Sequence, residues 1–194
     1  MADRPESRAS IVPEADIIEF DAIGDESWRL LTLLPEIATK IQTLEWLARR
    51  SLIKNEVLCT TCQQPARLTV FARGIDGYHW KCYCHNFTQS VRHGSFFTRS
   101  HLDLEQLVQL LYMWAMDFQQ DQIMVELGIQ ENSRHTVIDW CNSIHEVSEE
   151  HLKRNPQALG RTPKKKRRRQ HGNRVRNNRF GGIIAAIIQI YPIN

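Results

Sequence analysis

Four cysteines and one histidine form the part of this sequence whose spacing indicates a specific chemistry. Cys59 and Cys62 are followed, after a short intervening segment, by Cys82, Cys84 and His85. Two thiolates three positions apart fold around a metal as a tight knuckle, and a second knuckle supplies the other corners of a tetrahedron. Threonine and glutamine surround the first pair, which argues against cysteines buried as small apolar residues. The pattern therefore predicts a structural Zn²⁺ site.

Two residues compete for the fourth position at this site. Cys82 and His85 have the knuckle spacing, and imidazole is an ordinary zinc ligand. Cys82 and Cys84 are one residue closer than the usual knuckle. We therefore predict that the metal ligands are Cys59, Cys62, Cys82 and His85, with Cys84 as the alternative fourth ligand.

The segment between the two knuckles is predicted to form a β-hairpin. Leu68 to Phe71 and Tyr78 to Trp80 are rich in aromatic and β-branched residues. Between them, Gly74 to Gly77 supplies the glycines and the Asp-Gly pair that tight turns favour. Phe87 to Val91 is expected to add a third strand before Gly94. Together these elements predict a small β zinc ribbon.

A helix is predicted before the ribbon. Pro35 fits a first helical turn. Apolar residues then return to one face at three- and four-residue steps. These residues are Ile37, Ile41, Leu44 and Leu47. We assign Trp46 to the core between this helix and the ribbon.

Three helices are predicted after the ribbon. Ser100 to Asp103 has the pattern of a capping box, and an apolar stripe at helical spacing follows it. A second helix is expected from about Gln120 to Leu127, ended by Gly128. The inward residues of the third helix are Val137, Trp140, Cys141, Ile144 and Val147. The predicted fold class is α+β, in which a helix, a zinc ribbon and a helix-turn-helix-like bundle follow one another.

The net charge of +3 hides an uneven distribution along the 194 residues. Ten of the 25 Lys and Arg residues lie in 161–194, which contains no acid, so residues 1–160 carry 15 cations against 22 acids. Residues 102–150 hold ten acids and one cation, Arg134. We interpret six consecutive cations as a nuclear import signal or a phosphate-binding arm rather than a solvated tail. They are Lys164, Lys165, Lys166, Arg167, Arg168 and Arg169.

The chain is predicted to divide into four regions. Residues 1–26 hold eight acids and few aromatics, and are expected to be a disordered leader. Residues 27–99 comprise the helix and the zinc ribbon, and residues 100–153 comprise the helical module. Residues 154–194 are expected to be a basic, disordered tail.

Composition also predicts where the protein works. Four of the five cysteines are gathered in one place, which is typical of a reducing compartment rather than of a secreted disulfide framework. The charged N-terminus has no apolar signal core, and no segment has the length and hydropathy of a membrane span. We expect a protein that is neither secreted nor membrane-bound, nuclear in a eukaryote and cytoplasmic otherwise.

Taken in order, these features resemble the N-terminal half of Merlin-type DNA transposases and of related bacterial insertion-sequence transposases. The resemblance runs from about Trp28 to His151. It is carried by CTTC at 59–62, YHWKC at 78–82, SVRHGSFF at 90–97 and VIDWCN at 137–142. It implies a zinc ribbon and a helix-turn-helix that bind double-stranded DNA at transposon ends. In the family these modules precede a ribonuclease-H-like core whose carboxylates hold two metal ions.

Register against the family bears on the fourth ligand. The family serine stands eight residues beyond the first cysteine of the second knuckle, as Ser90 does beyond Cys82. The resemblance therefore implies that the last ligand position falls on His85.

The sequence departs from the family in two further ways. The stretch from Gly128 to Val137 is longer than the family pattern, which disfavours groove docking by the third helix. Residues 151–194 contain no Asp or Glu, whereas a two-metal site needs carboxylates. We therefore expect no transposase activity, and interpret the tail as a remnant of a lost catalytic core.

These features support a non-catalytic, transposase-derived, zinc-dependent DNA-binding protein. The ribbon and the tail would contact phosphates, and the third helix would give any sequence preference. The candidate DNA contacts are Arg67, Arg73, Lys81 and Arg92 in the ribbon, Asn132, Ser133, Arg134 and His135 at the start of the third helix, and the six cations of 164–169. Two alternatives are a protein-interaction adaptor with the ribbon as its platform and a decayed fragment without selected function.

Overall fold

A computed structural model describes residues 8–155 and 171–193 of the chain. In these ranges the chain forms seven α-helices and one three-stranded antiparallel sheet, which confirms the predicted α+β class. The helices are α1 (Phe20–Ile23), α2 (Leu30–Glu36), α3 (Lys40–Arg49), α4 (Leu104–Ala115), α5 (Gln120–Glu126), α6 (Arg134–Arg154) and α7 (His171–Ile190). The strands are β1 (Arg67–Val70), β2 (Tyr78–Lys81) and β3 (Thr88–Ser90).

The chain divides into two compact units. In the described ranges, unit 1 comprises residues 8–19, 35–105 and 191–193, and it contains α3 and the sheet. Of the described residues, unit 2 comprises 20–34, 106–155 and 171–190, and it contains α1, α5, α6 and α7.

The sheet of unit 1 has the order β1-β2-β3, and all three strands lie within two residues of their predicted positions. Leu68 of β1 is opposite Trp80 of β2, and both are buried. Residues on either side of them in each strand point to the opposite face, because side chains alternate along a strand. One face of the sheet is therefore core and the other faces solvent.

Helix α3 also contributes buried residues to unit 1. The Thr39 side chain accepts a hydrogen bond from the Gln42 backbone N–H at 3.3 Å and so caps the first turn. Leu44, Trp46 and Leu47 are buried, which confirms the assignment of Trp46 to the core.

Two details of the predicted first helix are wrong. Pro35 lies in the last turn of α2 rather than in a first turn, and Ile37 precedes α3. The physical reason is the cap at Thr39, which starts a new helix four residues after the proline.

The expectation of a disordered leader is wrong for residues 8–26. Leu68 donates its backbone N–H to the carbonyl of Arg8 at 2.8 Å, and Ile11 donates to the carbonyl of Asn55 at 3.0 Å. Val12 exchanges two further hydrogen bonds with the Asn55 side chain, and both Ile11 and Val12 are buried. Residues 20–23 form α1 of unit 2, where Ile23 is buried.

The three helices predicted after the ribbon are present as α4, α5 and α6. Gly128 follows the last turn of α5 with φ +64°, the left-handed conformation that glycine adopts without steric cost. Val137, Cys141, Ile144 and Val147 of α6 are buried as predicted, and Trp140 is half-buried. Residues 127–133 separate α5 from α6, a longer connection than the three- to four-residue turn of helix-turn-helix modules.

The expectation of a disordered tail is wrong for residues 171–190, which form α7. Phe180 is buried with its ring centroid 5.4 Å from that of Tyr112, and the Asn155 side chain donates to Gln189 Oε1 at 2.8 Å. Gly181 permits a close approach, because a Cβ there would lie 2.6 Å from the carbonyl oxygen of Ile23. None of the helices in the described ranges combines the length and the hydropathy needed to cross a membrane.

Candidate metal centre

The first knuckle is a tight turn that aims two thiols toward one point. Cys59 donates its backbone N–H to the carbonyl of Gln64 at 2.9 Å and accepts a hydrogen bond from the Gln63 N–H at 2.9 Å. Gln63 adopts φ +58°, which turns the chain back on itself. Leu58 and Pro65 pair across the base of the turn. This geometry follows from local sequence, since all its hydrogen bonds span a few residues.

The second knuckle continues directly from β2. Cys82 donates its backbone N–H to the carbonyl of Phe87 at 3.0 Å, and Phe87 donates to the carbonyl of His85 at 2.8 Å. The chain then enters β3, so the sheet fixes both ends of the knuckle. Cys82 is buried, whereas Cys84 and His85 are exposed.

The two knuckles bring Cys59, Cys62, Cys82 and His85 together. One ligand atom of each residue lies within 4.8 Å of a ligand atom of every other, so the four side chains could hold one metal ion. The Sγ atoms of Cys62 and Cys82 are 3.7 Å apart. A tetrahedron with metal–sulfur bonds of about 2.3 Å has edges of about 3.8 Å, which matches this separation. Cys84 lies outside the group.

The electrostatics of the first knuckle favour a bound cation. The backbone N–H of Cys62, aided by that of Thr61, lowers the pKa of the Cys59 thiol to about 6. A hydrogen bond from the Gln64 backbone acts to lower the pKa of Cys62, but burial and the neighbouring Cys59 outweigh it and the pKa is raised. The lowered pKa increases the fraction of Cys59 that is present as thiolate, which is the form that binds a metal ion.

Cys141, the fifth cysteine, has no place in this centre. It is buried in α6, and burial raises the pKa of its thiol. A buried thiol of this kind behaves as a small apolar residue.

The solvent face of the sheet carries two of the predicted DNA contacts. Arg67 of β1 and Lys81 of β2 are directly opposite each other in the antiparallel register, and both are exposed. Thr88 of β3 is the next residue in this row. Arg73 is also exposed, in the turn between β1 and β2.

The prediction that Arg92 contacts DNA is wrong. Its guanidinium is buried and donates two hydrogen bonds to the Asp76 carboxylate, at 2.6 and 2.5 Å. Its third interaction is a hydrogen bond to the carbonyl of Ser100 at 3.2 Å. Asp76 is the only acid in residues 57–102, and its presence among these basic residues is the sequence signal for an ion pair with one of the ribbon arginines.

The residues at the start of the third helix lie on the surface, but their cation is engaged. Arg134 forms ion pairs with Asp121 at 2.6 Å and with Glu131 at 3.1 Å, and these carboxylates raise its pKa. Ser133 hydrogen-bonds the Asn132 side chain at 3.4 Å, and His135 is exposed. Lys164 to Arg169 lie outside the described residues.

The sequence analysis missed the aromatic rings beside the Arg67–Lys81 pair, which is called the cationic row below. The Phe71 and His79 rings are in contact, with centroids 4.7 Å apart, and Tyr83 is exposed in the second knuckle. The alternation of His79 and Lys81 along β2 was a signal that both would share the solvent face.

No protein-family model matches this chain, and no curated protein or solved structure is significantly similar to it. The resemblance to Merlin-type transposases therefore rests on the sequence motifs alone.

Proposed function

We propose that this chain is a zinc-dependent DNA-binding protein derived from a Merlin-type transposase. The observation that carries the proposal is that Arg67 and Lys81 are opposite each other on the solvent face of the sheet, close in sequence to the four residues that could hold a metal ion.

Zinc suits the cluster better than other common metals. Three thiolates and one imidazole form a soft, tetrahedral donor set, which favours Zn²⁺ over oxygen-seeking Mg²⁺ or Ca²⁺. All four positions are taken by the protein, as in structural rather than catalytic sites. The role we assign to zinc is therefore to hold the two knuckles together and so fix the sheet.

Thiol alkylation of the native, zinc-loaded protein is expected to modify Cys84 first. Cys84 is exposed and outside the cluster, whereas metal coordination would protect Cys59, Cys62 and Cys82. Adding a chelator should raise the number of rapidly modified thiols from one to four, counted by mass spectrometry of peptides. Cys141 serves as the internal control, because its burial makes it slow to react in both states. Protection of Cys84 in the loaded protein would instead assign the fourth ligand to Cys84.

The charges on the sheet favour an anionic partner. Arg67 and Lys81 place two positive charges opposite each other on exposed positions, and a phosphate lying between them would be attracted by both. Asp76 does not offset these cations, because it is buried against Arg92. A line of phosphates, which every DNA duplex presents, is the partner best matched to this row.

The third helix is less suited to contact DNA than the sheet is. Its one cation near the N-terminus, Arg134, already pairs with Asp121 and Glu131. Farther along α6, Asp139 and Glu146 are exposed and would repel phosphates. We therefore assign the main phosphate contacts to the ribbon. At most, the exposed His135 of α6 and Asn132, just before that helix, would contact bases.

Replacing both Arg67 and Lys81 by glutamine is expected to weaken duplex binding and its dependence on salt. Each phosphate contact contributes a slope of about −0.9 to the plot of log K against log salt, so losing two should make the slope shallower by about 1.8. Fluorescence anisotropy with a duplex of random sequence, repeated across salt concentrations, measures this slope.

Lys153→Gln is the matched control for that experiment. Lys153 is an exposed cation of α6 that pairs with Glu149, and its loss removes charge without touching the ribbon. Zinc content should equal that of the wild type in all variants. Equal weakening by Lys153→Gln would show a general charge effect and contradict the assigned face.

A protein-interaction adaptor is the second candidate function, favoured by the surface of unit 2. Leu31 and Val125 are 84% and 78% exposed. A cavity of about 720 Å³ is lined by Trp114, Phe118 and Leu152, among others, and the Asp117–Arg179 ion pair lies at its wall. Absence of duplex binding even at low salt, with the full chain and zinc present, would favour this function over DNA binding.

A further inference from the structure

Two groups of exposed aromatic rings flank the cationic row of the sheet. The first is Tyr83, which lies between Cys82 and His85 in the second knuckle and is 64% exposed. The Lys81 Nζ atom lies 5.9 Å from the centroid of the Tyr83 ring, within the range of a cation–π contact. The Tyr83 ring is therefore placed beside the Arg67–Lys81 row.

The second group is Phe71 with His79, on the other side of Lys81 along β2. The two rings are tilted by 33° with centroids 4.7 Å apart, and Phe71 is 41% exposed. The Phe71 ring packs closely against Gly74 in the turn, since a Cβ at Gly74 would lie only 2.6 Å from Phe71 Cδ1. The ring thus lies in a position that any larger residue at Gly74 would disturb.

A shallow depression of about 440 Å³ lies beside the Phe71–His79 pair. Its wall also includes Thr88, Gln89 and Ser90 of β3. Thr88 and Ser90 are on the same face of the sheet as His79, and their hydroxyl groups can donate and accept hydrogen bonds. Burial, aided by the charge of Lys81, lowers the pKa of His79, which favours the neutral form of its imidazole. Aromatic walls with hydrogen-bonding groups at one side are the surroundings that a nucleobase requires.

We propose that this face binds unpaired DNA bases, so that the preferred ligand is a duplex with a single-stranded extension. The inference rests on the proposed DNA-binding function and specifies which kind of DNA the protein prefers. In a duplex the bases are stacked on one another and their faces are not available to protein side chains, whereas an extension exposes them. The extension's phosphates would lie on Arg67 and Lys81, and its bases would stack on Tyr83 and on the Phe71–His79 pair.

Three DNA probes test the inference on the full, zinc-loaded chain. All three contain the same duplex. The first is blunt-ended, the second carries a short single-stranded extension with bases, and the third carries the same extension built from abasic sugars. The extension with bases is expected to bind about five- to 150-fold more tightly than the blunt duplex for each base stacked. The abasic extension keeps the added phosphates and should lose most of this gain.

Tyr83→Ala and Phe71→Ala should each reduce the ratio of the extended-duplex affinity to the blunt-duplex affinity, whereas Tyr83→Phe should preserve it. Phe20→Ala is the matched control, since Phe20 is an exposed aromatic residue of unit 2, 44% accessible to solvent. Zinc stoichiometry checks that Tyr83→Ala leaves the knuckle intact, and Phe71→Ala gives an independent variant outside the knuckle.

Two results would overturn the inference without rejecting the proposed function. Equal binding of the blunt and the extended duplex would reject base stacking and leave the proposed duplex-binding function standing. Equal binding of the abasic and the base-bearing extension would show that phosphates alone account for the gain. Absence of binding to all three probes is a different result, because it rejects the proposed function itself and the inference with it.

Discussion

Replacing Cys59 by alanine is expected to abolish metal binding and to unfold the ribbon. Its strands have only four, four and three residues, and sheets of such short strands have little stability alone in water. Where a structural metal site exists only in the folded chain, metal binding supplies folding free energy, about 10–16 kcal/mol in zinc-finger peptides. Hydrogen exchange should therefore show the β1–β3 amides of the variant exchanging as in an unfolded chain, with no bound zinc.

Cys84→Ala is the matched control for this prediction. It removes a thiol from the same knuckle, but one that is exposed and outside the cluster. The control should bind one zinc ion and retain the protection of the strand amides, whereas His85→Ala should weaken zinc binding. Protected strands in metal-free Cys59→Ala would show that the core formed by Trp80 and Leu68 holds the ribbon without metal.

The metal cluster was predictable because residues close together in the sequence determine the shape of each knuckle. A knuckle is specified by residue types a few positions apart, and the hydrogen bonds that shape it at Cys59 join residues no farther away than Gln64. The strands were predictable for a similar reason, since turn residues such as Gly77 and the alternation of side chains mark where each strand begins and ends.

The leader could not be predicted because its order depends on distant partners. Acidic composition argues for disorder, but backbone hydrogen bonds join Leu68 to Arg8 and Ile11 to Asn55. The same limit explains α7, whose sequence combines arginines, three glycines and an apolar run with little helical periodicity. Burial of Phe180 and Ile184 within unit 2 stabilises a helix that propensity alone does not favour.

Arg92 shows why a basic composition does not identify a binding surface. It belongs to the same basic segment as Arg67 and Lys81, yet its guanidinium is buried in an ion pair with Asp76. Sixteen residues separate the two partners, so no local rule pairs them. Only the packing of the β1–β2 turn against the segment after β3 distinguishes the structural arginine from the surface cations.

Replacing Asp76 by alanine is expected to destabilise unit 1 by about 3–5 kcal/mol, because it leaves the buried Arg92 guanidinium without its carboxylate. The side chains of Arg92 and Asp76 are 4% and 6% exposed, so water cannot replace the lost hydrogen bonds unless the ribbon opens. The carbonyl of Ser100 accepts one hydrogen bond from Arg92 and leaves most of the charge uncompensated. Urea unfolding of the zinc-loaded protein, followed by tryptophan fluorescence, measures the change.

The double variant Asp76→Leu with Arg92→Met separates the cost of an unpaired charge from the value of the pair. Apolar residues of similar size that replace both members of a buried ion pair are often neutral or stabilising. We therefore expect the double variant to recover most of the stability that Asp76→Ala loses. Lys153→Gln, which breaks the exposed pair with Glu149, should change stability by less than about 1 kcal/mol. A double variant as unstable as Asp76→Ala would mean that the ion pair itself, with its hydrogen bonds, stabilises the ribbon and that desolvation is a minor cost.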